Sequence, residues 1–110
     1  MVTGPAASRD ALPGLAVIGL DHRTASPGLR DAVFIAEADL PAFHDALRRV
    51  GIVQAVVLST CDRLEVQLTD RDPEAASARV AQLIASRAAG GSLGERQALQ
   101  IRLGAQAVGH

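Results

Sequence analysis

The sequence of 110 residues predicts an α+β domain of the ferredoxin-like type, a β-α-β-β-α-β sandwich in which helices cover one face of a single antiparallel sheet. Three observations favour this class: two short apolar runs, two segments in which apolar and polar residues alternate, and two amphipathic helical segments placed between them. A content of 48% apolar and 21% charged residues is typical of a globular chain with one core.

Four segments have the patterns of strands. Leu15–Leu20 is a short apolar run, consistent with a strand buried on both faces, and Gln54–Thr60 is a second continuous apolar run. Arg63–Leu68 and Ala98–Leu103 alternate, so we expect one face of each to contact the core and the other to contact solvent. The composition of residues 21–28 predicts a loop.

Two segments have apolar residues at three- and four-residue spacing, which predicts helices. The first covers Ala36–Val50 and ends at Gly51. The second begins with Asp72 as N-cap and Pro73 as first residue, and ends near Gly90–Gly91. The apolar stripes consist of Leu40, Phe43, Leu47 and Val50 in the first helix, and of Ala76, Val80, Leu83 and Ile84 in the second.

The two ends of the chain differ from the segment between them. Residues 1–13 are small, polar and rich in Pro and Gly, which predicts a disordered leader before a folded domain at 14–104. Residues 105–110 have the pattern of a following helix that is truncated. Because no run approaches the ~20 apolar residues of a membrane span and no signal peptide is evident, we expect a cytoplasmic protein with no membrane partner. A net charge of −1 disfavours general attraction to nucleic acid.

Cys61 is the only cysteine, so the chain forms no internal disulfide. It lies where an apolar strand gives way to an alternating one, and we expect a turn there. A lone cysteine usually packs as a small hydrophobic residue, but Thr60 and Arg63 are polar, and a guanidinium near a thiol favours the reactive thiolate. In the alternative interpretation Arg63 only pairs with Asp62 or Glu65.

Other kinds of site are disfavoured. The chain has no glycine-rich dinucleotide motif and no Walker loop. The residue six positions after Cys61 is Gln67 rather than Arg, so the loop of cysteine phosphatases is absent. His22, His44, Cys61 and His110 lack the paired short spacings of metal ligands, and we predict no metal.

Four motifs in order resemble the signature of the glutamyl-tRNA reductase family. They are G-L-D-H-R-T-A at 19–25, L-R-D at 29–31, L-S-T-C-D-R-L-E at 58–65 and A-V-G-H at 107–110. The family patterns are G-x-N-H-x-T-A, L-R-E, L-S-T-C-N-R-T-E and A-V-x-H. The resemblance spans Leu15 to His110 and implies the family's N-terminal catalytic domain, which is ferredoxin-like in agreement with the element order above.

The resemblance implies a reaction. The thiol at Cys61 would attack glutamyl-tRNA to give a thioester, which NADPH reduces to glutamate-1-semialdehyde, the first committed step of tetrapyrrole (porphyrin) biosynthesis. By the same match, Thr60, Asp62 and Arg63 would line the glutamate site, with Arg63 gripping a carboxylate through two hydrogen bonds. His110 matches the active-site histidine, which assists proton transfer or orients the substrate.

The resemblance also concerns a loop and the partners. His22 and Thr24 match a loop that we expect near the cysteine. They would either stabilise this loop through hydrogen bonds or contact the substrate, and the sequence favours neither role over the other. The implied partners are glutamyl-tRNA, glutamate-1-semialdehyde aminomutase as a candidate, and a second copy of the chain. In the family, a Rossmann domain binds NADPH and a helical domain dimerises, and both follow the point at which this sequence stops.

Several residues depart from the family pattern. Asp62 and Asp21 replace Asn, Leu64 replaces Thr, and Pro27 is shifted by one position. A carboxylate at 62 should disfavour both a substrate carboxylate and the thiolate. These departures leave three hypotheses: the catalytic domain of a reductase, a degenerate non-catalytic relative that binds an amino acid, a tRNA end or a partner protein, and a purely structural domain.

Overall fold

A four-stranded antiparallel sheet forms one layer of the computed structural model, which describes residues 14–88 and 99–104. The strands are β1 (Gly14–Asp21), β2 (Gln54–Ser59), β3 (Arg63–Asp70) and β4 (Gln100–Leu103). Their order in the sheet is β2-β3-β1-β4, so that β1 lies between β3 and β4. This is the strand order of the ferredoxin-like fold, and the predicted fold class is confirmed.

The helices of the second layer include one that the sequence patterns did not indicate. They are α1 (Pro27–Val33), a short 3-10 helix (Glu37–Asp39), α2 (Leu40–Arg49) and α3 (Pro73–Arg87). The prediction of a loop over residues 21–28 is wrong at its end, because Pro27 and Gly28 begin α1. The hydroxyl of Ser26 accepts a hydrogen bond from the Leu29 amide at 3.3 Å, and Pro27 needs no partner in a first turn.

The two predicted helices are confirmed with shifted ends. The predicted first helix is a 3-10 turn followed by α2, which ends at Arg49, and Gly51 follows two residues later with a φ of 90° that suits glycine. α3 begins as predicted, with the Asp72 carboxylate accepting from the Ala75 amide at 3.2 Å. It ends at Arg87, and the predicted end at Gly90–Gly91 lies outside the described residues, as do the leader and the segment 105–110.

The core lies between the helices and one face of the sheet. On β1 and β3 the residues facing the helices are Ala16, Ile18, Leu20, Leu64, Val66 and Leu68, all buried. The helices and their connections contribute Val33, Ile35, Phe43, Leu47, Ile52, Val80 and Ile84. Leu40, Val50 and Leu83 of the predicted stripes are only partly buried. The opposite face of the sheet, hereafter the open face, has no helix packed on it among the described residues.

The burial of single residues departs from the patterns on three strands. β2 is continuously apolar, yet it is an edge strand, and Val56 and Leu58 on its open face are 63% and 41% exposed. Glu65, expected on the solvent face of β3, is buried at 6% exposure because β3 is a central strand. Ile101 on edge strand β4 is 44% exposed.

No helix in the described ranges is long and apolar enough to span a membrane. α3, the longest of them, has 15 residues, and Ser77 on its buried side donates a hydrogen bond to the Pro73 carbonyl at 2.6 Å. A membrane helix needs about 20 predominantly apolar residues.

Replacement of Ile84 by alanine tests the helix-to-sheet core. Ile84 of α3 is fully buried, so Ile84→Ala should lower the free energy of unfolding by about 2–5 kcal/mol through lost burial and a cavity. The matched control Val53→Ala removes an exposed aliphatic side chain and should change it by less than about 0.5 kcal/mol. Urea denaturation followed by circular dichroism measures both, and equal effects would contradict the described core.

Candidate active site

A tight turn between β2 and β3 presents Cys61 to solvent at one end of the sheet. The Thr60 amide donates to the Arg63 carbonyl at 2.8 Å and the Arg63 amide donates to the Thr60 carbonyl at 3.4 Å, so Cys61 and Asp62 form the tip of a hairpin. The Thr60 hydroxyl accepts from the Asp62 amide at 3.2 Å and stiffens the tip. Cys61 is a free, exposed cysteine, so its thiol is open to reagents rather than packed in the core.

The pairing of β1 with β3 brings a second loop beside this turn. Asp21, the last residue of β1, lies opposite Arg63, and residues 22–24 follow directly. The Thr24 hydroxyl accepts from the Asp21 amide at 3.1 Å and donates to the Asp21 carbonyl at 3.3 Å. Thr24 therefore stabilises the loop, while His22 is exposed and lines the cleft described below.

An ion pair fixes the start of this loop. The Asp21 carboxylate accepts from the Arg23 amide at 2.9 Å and from Arg23 Nη2 at 2.8 Å. The hydrogen bond from the Arg23 side chain lowers the pKa of Asp21 from 3.8 to about 2, so Asp21 is ionised at neutral pH. Sequence patterns gave no indication of this pair.

A cleft of about 710 Å³ joins the turn and the loop to the open face of the sheet. Its walls at the turn include Thr60, Asp62, Arg63 and His22, four of the residues that the sequence singled out. Cys61 lies between two of them in the chain. Further along the open face the lining residues are Val17, Gly19, Glu65, Gln100 and Arg102. Of the predicted site residues, Cys61 and Thr24 are not among the lining residues, and His110 lies outside the described part of the chain.

Glu65 pairs with Arg63 at the end of the cleft nearest the turn. Glu65 Oε1 lies 3.5 Å from Arg63 Nη1, and Glu65 Oε2 accepts from Gln67 Nε2 at 2.6 Å. The pairing of Arg63 with Glu65, one of the two pairings considered from the sequence, is therefore present. Because a guanidinium carries five donors, Arg63 can hold Glu65 and still bind an anion. Its side chain remains 48% exposed.

Gly19 forms the floor of the cleft at the middle of β1. A Cβ atom built there would lie 2.4 Å from the Leu64 carbonyl oxygen and 3.0 Å from the Glu65 Cα atom. A side chain at this position would therefore push β3 away. The glycine keeps the two central strands close and leaves open space above them on the side where the cleft lies.

Two cleft residues, Gln100 and Arg102, come from β4 and were not singled out from the sequence. Alternation in this segment does place them opposite Leu99, Ile101 and Leu103. The alternation does not predict which strand lies beside β4. Both side chains reach the cleft only because β4 pairs with β1. Among residues 14–88 and 99–104, no group of three His, Cys, Asp or Glu side chains could hold a metal ion.

Comparison with known proteins gives consistent matches. The family model described as the N-terminal domain of glutamyl-tRNA(Glu) reductase matches residues 18–110. The glutamyl-tRNA reductase of Magnetococcus marinus is 42% identical over 72 residues, which are 64% of this chain and 17% of that protein. That of Frankia casuarinae is 40% identical over 53 residues, 47% of this chain and 11% of that protein. The chain thus spans under a fifth of these relatives.

A solved structure is similar in fold. It is the glutamyl-tRNA reductase from Methanopyrus kandleri, which superimposes with a TM-score of 0.58 over 86% of this chain and 20% of that protein. The sequences are 20% identical, so this likeness concerns the fold alone.

The ion pair of the loop can be tested by titration. The pKa of Asp21 should be about 2, and Arg23→Gln should raise it toward 3.8 because the charged donor is lost. Since the pKa is depressed in the folded state, the contribution of Asp21 to stability is complete above about pH 4 and disappears as the pH falls through about 2. The stability difference between the native protein and Asp21→Asn should shrink over that range.

Carboxyl chemical shifts in NMR spectra measure the pKa directly. Arg48→Gln is the matched control, because it breaks an exposed pair with Asp45 on α2 and should leave the pKa of Asp21 unchanged. An Asp21 that titrates near 3.8 in the native protein would contradict the pairing.

Proposed function

Because the chain belongs to the family of the glutamyl-tRNA reductase N-terminal domain, we propose that it performs the acyl-transfer half of glutamyl-tRNA reduction, with Cys61 as the nucleophile. One observation carries this proposal. Cys61 is exposed at the tip of a hairpin, and both of its chain neighbours and Arg63 line a cleft on the open face of the sheet. A thiol placed in this way can reach an ester held in the cleft.

The proposed step forms a C–S bond and breaks a C–O bond. The thiolate of Cys61 attacks the ester carbonyl carbon that joins glutamate to the terminal ribose of the tRNA. The tetrahedral intermediate collapses, the ribose oxygen leaves and takes up a proton, and the glutamyl group stays on Cys61 as a thioester. We assign the proton transfer, or the orientation of the substrate, to His110, and a supporting role to His22 in the cleft.

Recognition of the glutamyl group is assigned to the side chains of the turn. We propose that Arg63 binds the side-chain carboxylate of the substrate through two parallel hydrogen bonds. The ion pair with Glu65 holds the guanidinium in position. Thr60 and Asp62 line the same end of the cleft and bound the space for the substrate. Thr24 is given the supporting role of holding the loop that carries His22.

The hydride donor that the family implies needs a dinucleotide-binding motif. Neither the sequence nor the described residues contain a glycine-rich turn between a strand and a helix, the structure that binds a dinucleotide. We therefore propose that NADPH binding, reduction to glutamate-1-semialdehyde and dimerisation belong to parts of the reductase outside this sequence. Glutamate-1-semialdehyde aminomutase as partner, a place in porphyrin synthesis and a cytoplasmic location are parts of the same proposal.

A second function, a non-catalytic binding module, is favoured by Asp62. Its carboxylate lies at the cleft, next to Cys61, where the family pattern has Asn. A negative charge there opposes both the formation of a thiolate and the approach of an anionic substrate. A degenerate relative that binds an amino acid, a tRNA end or a partner protein would tolerate this charge, whereas a fast thiol nucleophile would not.

Replacement of Cys61 tests the acyl-transfer proposal. The native chain, incubated with glutamyl-tRNA, should form a hydroxylamine-sensitive glutamyl thioester. Cys61→Ser should form none, because it removes the only thiol of the chain, and should release free tRNA at least about 100-fold more slowly. Mass spectrometry of the protein and release of free tRNA provide two readouts. The matched control is Cys61→Ser combined with Val56→Cys, which returns an exposed thiol to the neighbouring strand and should stay inactive. Unchanged deacylation by Cys61→Ser would overturn the assignment.

The charge of Asp62 distinguishes the two functions. In a catalytic domain, Asp62→Asn should speed thioester formation by roughly tenfold, because it removes a negative charge beside the attacking thiolate and the anionic substrate. Asp45→Asn removes an exposed carboxylate on α2 and should leave the rate unchanged. Single-turnover kinetics with glutamyl-tRNA measure both. If neither the native chain nor Asp62→Asn forms a thioester, the acyl-transfer proposal fails, and the binding module and the purely structural domain are left.

A further inference from the structure

β2 forms an edge of the sheet that has no partner strand among the described residues. It spans Gln54–Ser59 and pairs with β3 alone, in a register that runs without interruption over all of its residues. None of these residues is charged, and none is proline. Natural edge strands usually carry a charge, a proline or a bulge, because these features prevent pairing with another chain. The other edge strand, β4, is shorter and includes Arg102, so β2 is the edge that is open to a further strand.

The hydrogen bonds of the hairpin determine which backbone groups of β2 point outward. Thr60 and Arg63 exchange two backbone hydrogen bonds, of 2.8 and 3.4 Å. In an antiparallel ladder, hydrogen-bonded pairs alternate with non-hydrogen-bonded pairs, so the even-numbered residues of β2 point their N–H and C=O groups toward β3. The N–H and C=O groups of the odd-numbered residues, which are Ala55, Val57 and Ser59, therefore point away from the sheet.

A second copy of β2 complements these outward groups. When a twofold axis passes between the two Val57 residues, Ala55 of one copy lies opposite Ser59 of the other, and the outward groups form about six hydrogen bonds. In this register Val56 lies opposite Leu58 of the second copy, in non-hydrogen-bonded pairs, where side chains are closest. Both side chains are apolar, and they are 63% and 41% exposed on the open face.

A neighbouring register fits less well. A twofold axis between the two Val56 residues would place Leu58 opposite Gln54 and would allow only about four hydrogen bonds within the strands. Because β2 is uncharged, identical strands do not repel each other in either register. The register about Val57 is therefore the one that satisfies the outward backbone groups and covers the exposed apolar side chains together.

We propose that two copies of the chain form a weak symmetric dimer, in which their β2 strands pair antiparallel about Val57 and join the two four-stranded sheets into one. Opposite residues of such a pair share a face, so both clefts lie on the same side of the joined sheet. One six-residue strand per copy buries less than the roughly 1,200–2,000 Å² of a stable interface, and we expect a dissociation constant of about 100 µM. The contact is separate from the dimerisation that we assign to parts of the reductase outside this sequence.

Sedimentation equilibrium of the whole chain, from about 10 µM to about 1 mM, tests the dimer. The average mass should rise with concentration from the monomer value of 11.4 kDa toward twice that value. Val56→Glu keeps the backbone pairing with β3 and places a carboxylate against an apolar side chain of the second copy, so the dissociation constant should rise at least about tenfold. The matched control, Ile101→Glu, puts the same charge on an exposed aliphatic residue of β4 and should leave it unchanged. A chain that stays monomeric at the highest concentration leaves β2 to a different partner and overturns the proposal, as does a dimer that Val56→Glu does not weaken.

The register can be measured in the native chain and by exchange of charges. In a mixture of ¹³C-labelled and unlabelled native chains, an intermolecular Hα–Hα NOE is expected between Val56 and Leu58, because the Cα atoms of a non-hydrogen-bonded pair are about 4.5 Å apart. Leu58→Lys alone should weaken the dimer as Val56→Glu does. An equimolar mixture of these two variants should regain a dissociation constant within about threefold of the native value, because glutamate then faces lysine at one of the two pairs. Intermolecular NOEs between other residues, or a mixture that stays monomeric, would contradict the pairing about Val57.

Discussion

The pairing of β1 with β3 is the constraint on which the rest of the structure depends. It runs over eight residue pairs, from Gly14 opposite Asp70 to Asp21 opposite Arg63. Gly19 allows the two backbones to approach within the distance that a Cβ atom would forbid. A shift of the register by one residue would turn the buried aliphatic side chains of one of the two strands to the open face and would displace the loop after β1 relative to the hairpin that carries Cys61.

The one-sided packing of the helices assigns different tasks to the two faces of the sheet. The inner face holds the apolar core, and the helix connections are tied to it by hydrogen bonds such as that from the Ile35 amide to Ser59 Oγ at 3.0 Å. Arg87 of α3 donates to the Phe34 carbonyl at 2.8 Å, which fixes the end of α1 on the same side. The open face is left for polar side chains, and the cleft lies there.

Two ion pairs in the cleft each join residues that lie two positions apart in the chain. Arg23 neutralises Asp21 in the loop, and Glu65 holds Arg63 on β3. Asp62 at the hairpin tip adds a negative charge next to the thiol, in the position where a glutamyl-tRNA reductase has an amide by the family pattern. The hairpin therefore carries a positive charge at Arg63 and a negative charge at Asp62, one on each side of the question whether an anionic substrate is bound here.

The sequence by itself determined the elements whose causes are local. The amphipathic spacing of α2, the Asp72 cap of α3, the alternation of β3 and the turn at Cys61 each depend on residues a few positions apart, and all are present. The resemblance of the L-S-T-C-D-R-L-E motif to the family pattern also brought Thr60, Asp62 and Arg63 into one hypothesis. The turn at Cys61 needed only the change from an apolar run to an alternating segment.

Tertiary structure decided the features that depend on strand neighbours. Glu65 is buried because β3 lies between β1 and β2, and β2 remains exposed in spite of its apolar sequence because it is an edge strand. α1 was missed because Pro27 and Gly28 occur in loops as well as in first turns. Arg102 reaches the cleft only through the pairing of β4 with β1. The paired residues of these two strands are more than 80 positions apart in the chain. Periodicity predicts which side chains of a strand lie on the same face of the sheet. The order of the strands decides which side chains lie beside them, and that order is determined by the packing of the whole chain.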